Sequence, residues 1–370
     1  MLDQFGFRDD LGPTKIIHVW EPGLGLDGVL VVDNVAAGPS IGGLRMAEDV
    51  TTEECFRLAR AMTLKNAAAG LAHGGGKSVL KGDPGMPAPD KERLIRAFAS
   101  ALGDISDYIF GPDMGTNELA MAWVKDEIGR SVGLPPEVGG IPLDELGATG
   151  WGLLHAIDVA AEDMGLPLDG ARVAIQGYGA VGYHAARFLK EKGAVLVAAS
   201  DSRGAVANPD GMDPEALHSA KQAGRSIAEF ASGERIEADA LIDVDCEIWV
   251  PAARPDVLTE ANVDRLKTRI VAQGANIPAT PEAERRLHER DVLVLPDFIA
   301  NAGGVICAAM EYHGAGESAA FAAIEDKVRR NMAAVLSRMR NDDLAPRQAA
   351  ERLARERVEA AMATRRWSIF

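Results

Sequence analysis

One short segment constrains the fold of this chain more than any other. Residues 173–175 have the composition of a buried strand, a glycine-rich run with the spacing GxGxxG follows at once, and residues 184–192 then have a helical pattern. The run contains Gly177, Gly179, Ala180, Val181 and Gly182. We predict a strand, a tight turn and a helix whose free N–H groups hold the pyrophosphate of a dinucleotide.

An acidic residue is expected about 20 positions further along in such a site. Asp201 follows the strand-like residues 195–199, and a carboxylate there can accept hydrogen bonds from both ribose hydroxyls and repel a 2′-phosphate. This favours NAD as the cofactor. Arg203, two residues later, can pair with a phosphate and leaves NADP as the alternative. A glycine turn that binds no cofactor is the structural alternative to the whole site.

Strand-like and helical stretches alternate along the chain. Strand-like runs also lie at 248–250, 270–272 and 292–295, and helical patterns cover 51–68, 90–102 and 149–164. This alternation predicts a parallel, doubly wound sheet. The chain has 370 residues, which is too long for one ordinary core. We therefore predict an α/β fold with a first α/β domain at 1–145, a Rossmann-like domain at 146–315, and C-terminal helices at 316–370 that pack back on the first domain.

The composition argues against two classes of partner. The net charge is −16 and aromatic residues make up 5% of the chain, so counterion release and base stacking do not favour nucleic acid, and charge does not favour an anionic membrane. The three cysteines are too few for a disulfide framework and lack metal-ligand spacing. Together with a polar start that has no signal-peptide pattern, they predict a cytoplasmic protein without a metal site.

Two lysines, Lys65 and Lys77, flank a glycine triplet at 74–76. The run GGGKS suggests a phosphate-binding loop, but that motif needs glycine where this chain has Leu71, and no predicted strand leads into the triplet, which has the pattern of a glycine-rich break. A lysine beside glycines can instead be desolvated and lie near other cations. Both effects lower its pKa and make it a usable base. Surface lysines around a turn are the alternative.

Several further segments share one pattern with residues 65–84. They are GGLRM at 42–46, GPDMGTN at 111–117, ATG at 148–150, GAN at 274–276 and PDFIANAGGV at 296–305. In this order, from about residue 14 to 312, the chain resembles the glutamate, leucine, phenylalanine and valine dehydrogenase family. The resemblance implies reversible oxidative deamination of an L-amino acid to its 2-oxo acid and ammonia with a nicotinamide cofactor. It also places substrate binding and most subunit contacts in the domain at 1–145.

The resemblance also implies roles for single residues. Lys65 matches the lysine that holds the substrate α-carboxylate, Lys77 the catalytic lysine, and Asp113 the aspartate that carries protons to and from the substrate nitrogen. Lys77 and Asp113 would then titrate as a pair. Thr149 matches the threonine that bonds the nicotinamide carboxamide. The matched asparagines are Asn276, near the substrate, and Asn301, near the nicotinamide ribose. A helix cap for Thr149 and turn roles for the asparagines are the alternatives.

The pattern around the paired glycines Gly42 and Gly43 bears on the substrate. Glutamate-specific members of the family carry a lysine immediately before this pair, where this chain has Ile41, and tend to carry serine where it has Ala308. A side-chain carboxylate would be desolvated there without compensation. We predict an apolar pocket for a bulky aliphatic or aromatic side chain, with walls formed by Ile41, Gly111, Val305 and Ala308.

Two other functions remain open at this point. One is a glutamate-type dehydrogenase with a modified pocket, and the other is a non-catalytic sensor that binds a dinucleotide. The presence of Lys65, Lys77 and Asp113 argues against the sensor. The expected partners are therefore an amino acid or 2-oxo acid, ammonium, and further copies of the chain in a homo-oligomer.

Overall fold

The computed structural model describes residues 6–365. Its strands are, in chain order, β1 (Lys15–Glu21), β2 (Leu26–Asn34), β3 (Ser40–Ala47), β4 (Gly74–Lys81), β5 (Tyr108–Pro112), β6 (Arg172–Gln176), β7 (Val195–Asp201), β8 (Gly204–Met212), β9 (Glu234–Ile236), β10 (Ile248–Pro251), β11 (Ile270–Ala272) and β12 (Leu293–Leu295). Its α-helices are α1 (Thr52–Ala68), α2 (Ala88–Ala101), α3 (Glu118–Ile128), α4 (Leu143–Leu146), α5 (Ala148–Met164), α6 (Ala180–Glu191), α7 (Pro214–Gln222), α8 (Pro281–Glu289), α9 (Asp297–Ala300), α10 (Gly303–Tyr312), α11 (Glu317–Asp342) and α12 (Pro346–Thr364).

The chain folds into two compact units, and it passes between them four times. The first unit contains the chain up to Pro142, Val305–Ala320 and the chain from Glu351, and the second contains Leu143–Gly304 and Phe321–Ala350. The sequence predicted a first boundary at 145/146, three residues away from the observed one. The predicted ranges 146–315 and 316–370 differ more, since most of α10 belongs to the first unit and most of α11 to the second.

Hydrogen bonds explain this interleaving. Glu311 in α10 accepts backbone N–H groups of Gly133 and Ile141 in the first unit, at 2.8 and 2.9 Å. In the second unit, the indole N–H of Trp151 in α5 donates to the carbonyl of Phe321 at 3.2 Å. These contacts join residues far apart in sequence, so the local pattern did not reveal them.

A five-stranded sheet organises the first unit, in the order β1-β2-β4-β3-β5. β2 pairs antiparallel with β1 and β4, whereas β3 is parallel to both β4 and β5. The helix α1 begins where predicted: the Thr51 side chain accepts the N–H of Glu54 at 3.1 Å and satisfies one of the unpaired donors of the first turn. A core of aliphatic and aromatic side chains, including Phe98 and Phe110, lies against this sheet.

The glycine triplet at 74–76 is not a break, and that prediction was wrong. All three glycines belong to β4. A Cβ on Gly75 would lie 2.0 Å from the backbone nitrogen of Thr63, and one on Gly76 would lie 3.0 Å from the Tyr108 ring. Glycine is therefore required by the close approach of α1 and β5 and does not interrupt the strand.

The second unit contains the predicted parallel sheet. Its seven strands have the order β12-β11-β10-β6-β7-β8-β9, and the five from β12 to β7 are parallel. β8 and β9 extend it with antiparallel pairs. The next strand along the chain, β7, pairs with one edge of β6, and the later strand β10 pairs with its other edge. This reversal of direction next to β6 creates a crevice at the carboxyl ends of the strands, where ligands bind in such folds.

Candidate active site

Two glycines of β3 make room for charged side chains from the strands on either side. A Cβ on Gly43 would lie 2.8 Å from the Cβ of Asp113 and 3.0 Å from its Oδ2, and one on Gly42 would lie 1.8 Å from the carbonyl oxygen of Gly76. Real Cβ atoms do not approach other atoms so closely. Gly43 therefore leaves the space beside Asp113 that a side chain would fill, and Gly42 allows the backbone of β4 to approach β3 closely.

Lys77 and Asp113 meet in this space. Lys77 lies in β4 and is 4% exposed, and Asp113 directly follows β5. The Lys77 ammonium nitrogen donates a hydrogen bond to Oδ2 of Asp113. The structure thus brings together the two residues that the sequence predicted as the catalytic pair.

The surroundings of Lys77 favour its neutral form. Burial lowers the pKa of Lys77 to about 7, and the positive charges of Arg45 and Lys65 act in the same direction. The Asp113 carboxylate acts in the opposite direction because it stabilises the ammonium. A lysine held near neutrality next to a carboxylate can give up and recover a proton at physiological pH.

Arg45 is a site residue that the sequence analysis did not identify. Its Nε donates to Oδ1 of Asp113 at 3.2 Å, and its Nη1 donates to Glu54 in α1 at 2.5 Å. The same Oδ1 accepts the backbone N–H of Met114 at 2.6 Å. Arg45 therefore orients the carboxylate that faces Lys77. The available signal was its position two residues after Gly43, which places it on the same face of β3.

The other predicted substrate residues of the first unit lie on four elements. Lys65 is in the last turn of α1, close enough to Lys77 for its charge to affect the pKa of Lys77. Ile41 in β3 is buried at 4% exposure. Gly111 lies in β5, and Val305 and Ala308 lie in α10. Asn276 lies in the second unit, after β11.

The predicted dinucleotide turn has the expected form in the second unit. Gly177 follows β6 with a φ of 98°, which favours glycine. A Cβ on Gly182 would lie 2.1 Å from the carbonyl oxygen of Gly177, so this glycine permits close packing of α6. Gly179 is the N-cap residue of α6, and Ala180 and Val181 open the helix as its first two residues. Among the described residues, no heavy atom lies within 4 Å of a Cβ on Gly179, so the backbone is accessible.

A cleft of about 850 Å³ lies beside this turn. Residues that follow three neighbouring parallel strands line it: Gly177 after β6, Asp201 at the end of β7, and Ala252 after β10. The first N–H groups of α6 face a site that a phosphate group would suit. The residues present therefore fit a dinucleotide.

Asp201 and Arg203 differ in how they are held. The Asp201 carboxylate accepts the backbone N–H groups of Arg203 at 2.8 Å and of Ile227 at 3.3 Å. The Arg203 guanidinium donates to the carbonyls of Gly224 and Arg225 at 3.0 and 2.7 Å. Both side chains line the cleft. The Arg203 guanidinium is thus held by two backbone carbonyls, whereas the Asp201 carboxylate lies at the end of β7.

The three remaining predicted residues also lie in the second unit. Thr149 is the second residue of α5, whose N-cap is Gly147, so it is not a helix cap. The Asn301 side chain donates to the carbonyl of Gly274 at 3.3 Å and to Oδ1 of Asn276 at 3.0 Å. This contact joins the two asparagines at the carboxyl end of β11.

Comparison with known proteins identifies the family. The family described as Glutamate/Leucine/Phenylalanine/Valine dehydrogenase matches residues 139–366, and the Glu/Leu/Phe/Val dehydrogenase dimerisation domain matches residues 20–130. The chain belongs to this dehydrogenase family. It is therefore a nicotinamide-dependent amino-acid dehydrogenase that acts on CH–NH2 donors and uses NAD or NADP.

Individual relatives of this dehydrogenase agree over most of its length. It is 38% identical to the glutamate dehydrogenase of Aeropyrum pernix, over 90% of this chain and 85% of that protein. It is 37% identical to the NADP(+)-dependent glutamate dehydrogenase of Pyrobaculum calidifontis, over 92% and 87%. The crystal structure of the hetero-hexameric glutamate dehydrogenase from Thermus thermophilus, in its Leu-bound form, superimposes with a TM-score of 0.83 at 29% identity, over 95% of this chain and 90% of that one.

Residues 6–365 of the dehydrogenase contain neither a membrane-spanning helix nor a cluster of possible metal ligands. In that part of the chain no helix is both long and apolar enough to cross a membrane. The same residues contain no group of three or more histidine, cysteine or acidic side chains that could hold a metal ion. The cysteines Cys55, Cys246 and Cys307 are buried and unpaired by disulfides, and burial raises the pKa of each thiol to about 12.

Proposed function

We propose that this dehydrogenase prefers an L-amino acid with an apolar, bulky aliphatic or aromatic side chain. The observation that carries the proposal is Ile41, a buried isoleucine in β3 at the position where glutamate-specific members carry lysine. Ala308 adds an apolar wall where those members tend to carry serine. A glutamate side chain would lose its hydration at these positions and gain no charged partner in return, at a cost of several kcal/mol.

The residues of the first unit support a division of tasks. Lys65 binds the α-carboxylate, which stays ionised throughout the reaction. When bound, the nicotinamide accepts the hydride from the α-carbon of the amino acid. Neutral Lys77 then takes a proton from the water that attacks the iminium carbon, and as an ammonium it stabilises the resulting carbinolamine. Asp113, oriented by Arg45, first takes a proton from the substrate ammonium before the hydride leaves and later returns it to the nitrogen of the carbinolamine. The C–N bond then breaks as the carbinolamine hydroxyl releases its proton, so the products are a 2-oxo acid, ammonium, the reduced cofactor and one proton.

One specific observation favours a second candidate. The curated relatives described above are named glutamate dehydrogenases, which supports a glutamate-type enzyme whose pocket binds the distal carboxylate through residues other than the missing lysine. A sensor without catalysis is disfavoured because Lys65, Lys77 and Asp113 are all retained and Lys77 contacts Asp113.

We propose NAD as the preferred cofactor. The Asp201 carboxylate at the end of β7 would accept the ribose hydroxyls and repel a 2′-phosphate. The engagement of the Arg203 guanidinium by two backbone carbonyls makes it less available to a phosphate. A homo-oligomer in the cytoplasm is a further proposal, supported by the match to a family dimerisation domain and by three buried, reduced cysteines.

The experiment that tests the side-chain proposal is the substitution Ile41→Lys. The added ammonium can pair with a distal carboxylate, so the variant should gain activity on 2-oxoglutarate and lose activity on phenylpyruvate and 4-methyl-2-oxopentanoate, by about tenfold or more in the ratio of kcat/KM. The wild type and Ile277→Lys, at an exposed isoleucine, serve as controls. An Ile41→Lys variant that folds and keeps the wild-type ratio would refute the assignment of Ile41 to the pocket.

A further inference from the structure

We propose that Glu311 is a positioning residue that fixes the separation between two walls of the side-chain pocket. The inference rests on the proposed function, because it takes α10 and the end of β5 as those walls. Glu311 lies in the last turn of α10, three residues after Ala308, and the two therefore share one helix face. Glu311 is only 8% exposed, although it carries a carboxylate that no predicted catalytic step uses.

The carboxylate of Glu311 is bound by backbone alone in its closest contacts. Its Oε1 accepts the N–H groups of Gly133 at 2.8 Å and Leu134 at 3.2 Å, and its Oε2 accepts the N–H of Ile141 at 2.9 Å. Three donors converging on one buried carboxylate offset its lost hydration. They also fix both ends of the segment 133–141 to a single point on α10.

The segment held by Glu311 is the one that supports Gly111. The N–H of Val132 donates to the carbonyl of Phe110 at 2.8 Å, and the Val132 side chain lies 3.5 Å from the position of a Cβ on Gly111. Val132 directly precedes Gly133, which is bonded to Glu311. A continuous path therefore runs from Ala308 along α10 to Glu311, through the hydrogen bond of Glu311 to Gly133, and by way of the adjacent Val132 to Gly111. It joins the two proposed walls.

A second contact holds the same end of α10 against the third wall. His313, just after α10, lies with its Nε2 3.0 Å from Nε2 of His73. The other nitrogen of His73, Nδ1, lies 3.0 Å from the carbonyl of Pro39 and must donate to it. Nε2 of neutral His73 is then an acceptor, and His313 donates. Pro39 immediately precedes β3, which carries Ile41, so α10 is fixed relative to both of the other walls.

The substitution Glu311→Gln tests the inference with little change of shape. The amide can accept with one oxygen, but its NH2 group must then face at least one backbone N–H, so the path to Gly111 loosens. We expect KM for the amino acid to rise about tenfold, KM for the cofactor to stay within twofold, and discrimination between substrates of different side-chain size to weaken. Glu311→Asp, which keeps the charge but is shorter, should lie between.

The control is Glu317→Gln, the same substitution at an exposed glutamate in the first turn of α11, which should change neither KM. Amide hydrogen exchange at Gly133, Leu134 and Ile141 gives a readout without turnover, and it should accelerate in Glu311→Gln. If the proposed function is wrong, the wild-type protein will prefer glutamate or will show no turnover. The inference itself is overturned by exchange rates at these amides that match the wild type, or by equal rises in both KM values.

Discussion

Lys77 is the residue at which the fold most directly controls chemistry. A lysine on an open surface is an ammonium at neutral pH and cannot accept a proton. In β4 its side chain is buried, and the neighbouring charges of Arg45 and Lys65 add to the effect of burial, so that its pKa falls to about 7. Asp113 remains within hydrogen-bond contact. The pair can therefore hold one mobile proton between them, and its titration belongs to both groups.

The pH dependence of the reaction follows from this pKa. The neutral fraction of Lys77 grows as pH rises through about 7. We therefore expect kcat/KM for oxidative deamination to be low below about pH 7 and to increase as the pH rises through that value. Arg45→Gln removes a positive charge that lowers the pKa of Lys77, and its profile should move to higher pH. Steady-state rates across the neutral range measure this. Arg93→Gln, at an exposed arginine of α2, is the control. An unshifted Arg45→Gln profile would show that Arg45 does not lower the pKa of Lys77.

The choice between NAD and NADP is expected to depend on the Asp201 carboxylate. Asp201→Ser removes the carboxylate that would repel a 2′-phosphate, so the ratio of kcat/KM for NAD to that for NADP should fall by about tenfold. The matched substitution Asp210→Ser, at an exposed aspartate of β8, should leave the ratio unchanged. An equal loss with both cofactors in Asp201→Ser would indicate that the carboxylate only supports the loop through Arg203 and Ile227.

At the scale of elements, β3 shapes the catalytic site because two of its positions carry no side chain. Gly43 leaves space beside Asp113, and Gly42 lets the β4 backbone approach closely. Lys77 of β4 can therefore touch Asp113, which follows β5, although β3 lies between these strands. A strand with ordinary side chains at these positions would force the two groups apart. The chemistry of the site thus depends on two missing Cβ atoms as much as on the charged residues.

Gly43→Ala tests this role of β3. Its new Cβ would lie 2.8 Å from both the Asp113 Cβ and the carbonyl oxygen of Pro112. We expect the free energy of unfolding to fall by about 1–3 kcal/mol and kcat/KM to fall by about a hundredfold, because small displacements of reacting groups are costly. Chemical denaturation and steady-state assays measure the two effects. Gly316→Ala is the control, since no heavy atom of residues 6–365 lies within 4 Å of its added Cβ. Wild-type activity in Gly43→Ala would rule out the role of Gly43 in placing Asp113.

How well each element could be predicted depends on how local its signal is. The glycine turn after β6 and the helix α1 with its Thr51 cap are specified by adjacent residues, and both were predicted, although α6 begins at Ala180, four residues before the predicted start at 184. β3 was not among the predicted strands, and the glycines of β4 were mistaken for a break, because glycine has low strand propensity. Their reasons lie in Thr63, Tyr108 and Asp113, which only the folded chain brings near. The role of Arg45 was missed for the same reason.

At the scale of the whole molecule, each of the two units is built from more than one segment of the chain. Local patterns predicted two domains followed by C-terminal helices, whereas the chain crosses from one unit to the other after Pro142, Gly304, Ala320 and Ala350. The contacts responsible, such as Glu311 with Gly133 and Trp151 with Phe321, span more than a hundred residues. Composition and periodicity carry no information about such pairs.

We propose above that this family member aminates apolar 2-oxo acids. The most direct test follows NADH oxidation by the wild-type protein with ammonium and, in separate assays, 4-methyl-2-oxopentanoate, phenylpyruvate, indolepyruvate, pyruvate and 2-oxoglutarate. We expect kcat/KM for the best bulky apolar oxo acid to exceed that for 2-oxoglutarate by about tenfold or more, because a distal carboxylate would be buried beside Ile41 and Ala308 without a partner. A higher kcat/KM for 2-oxoglutarate than for every apolar oxo acid would contradict it.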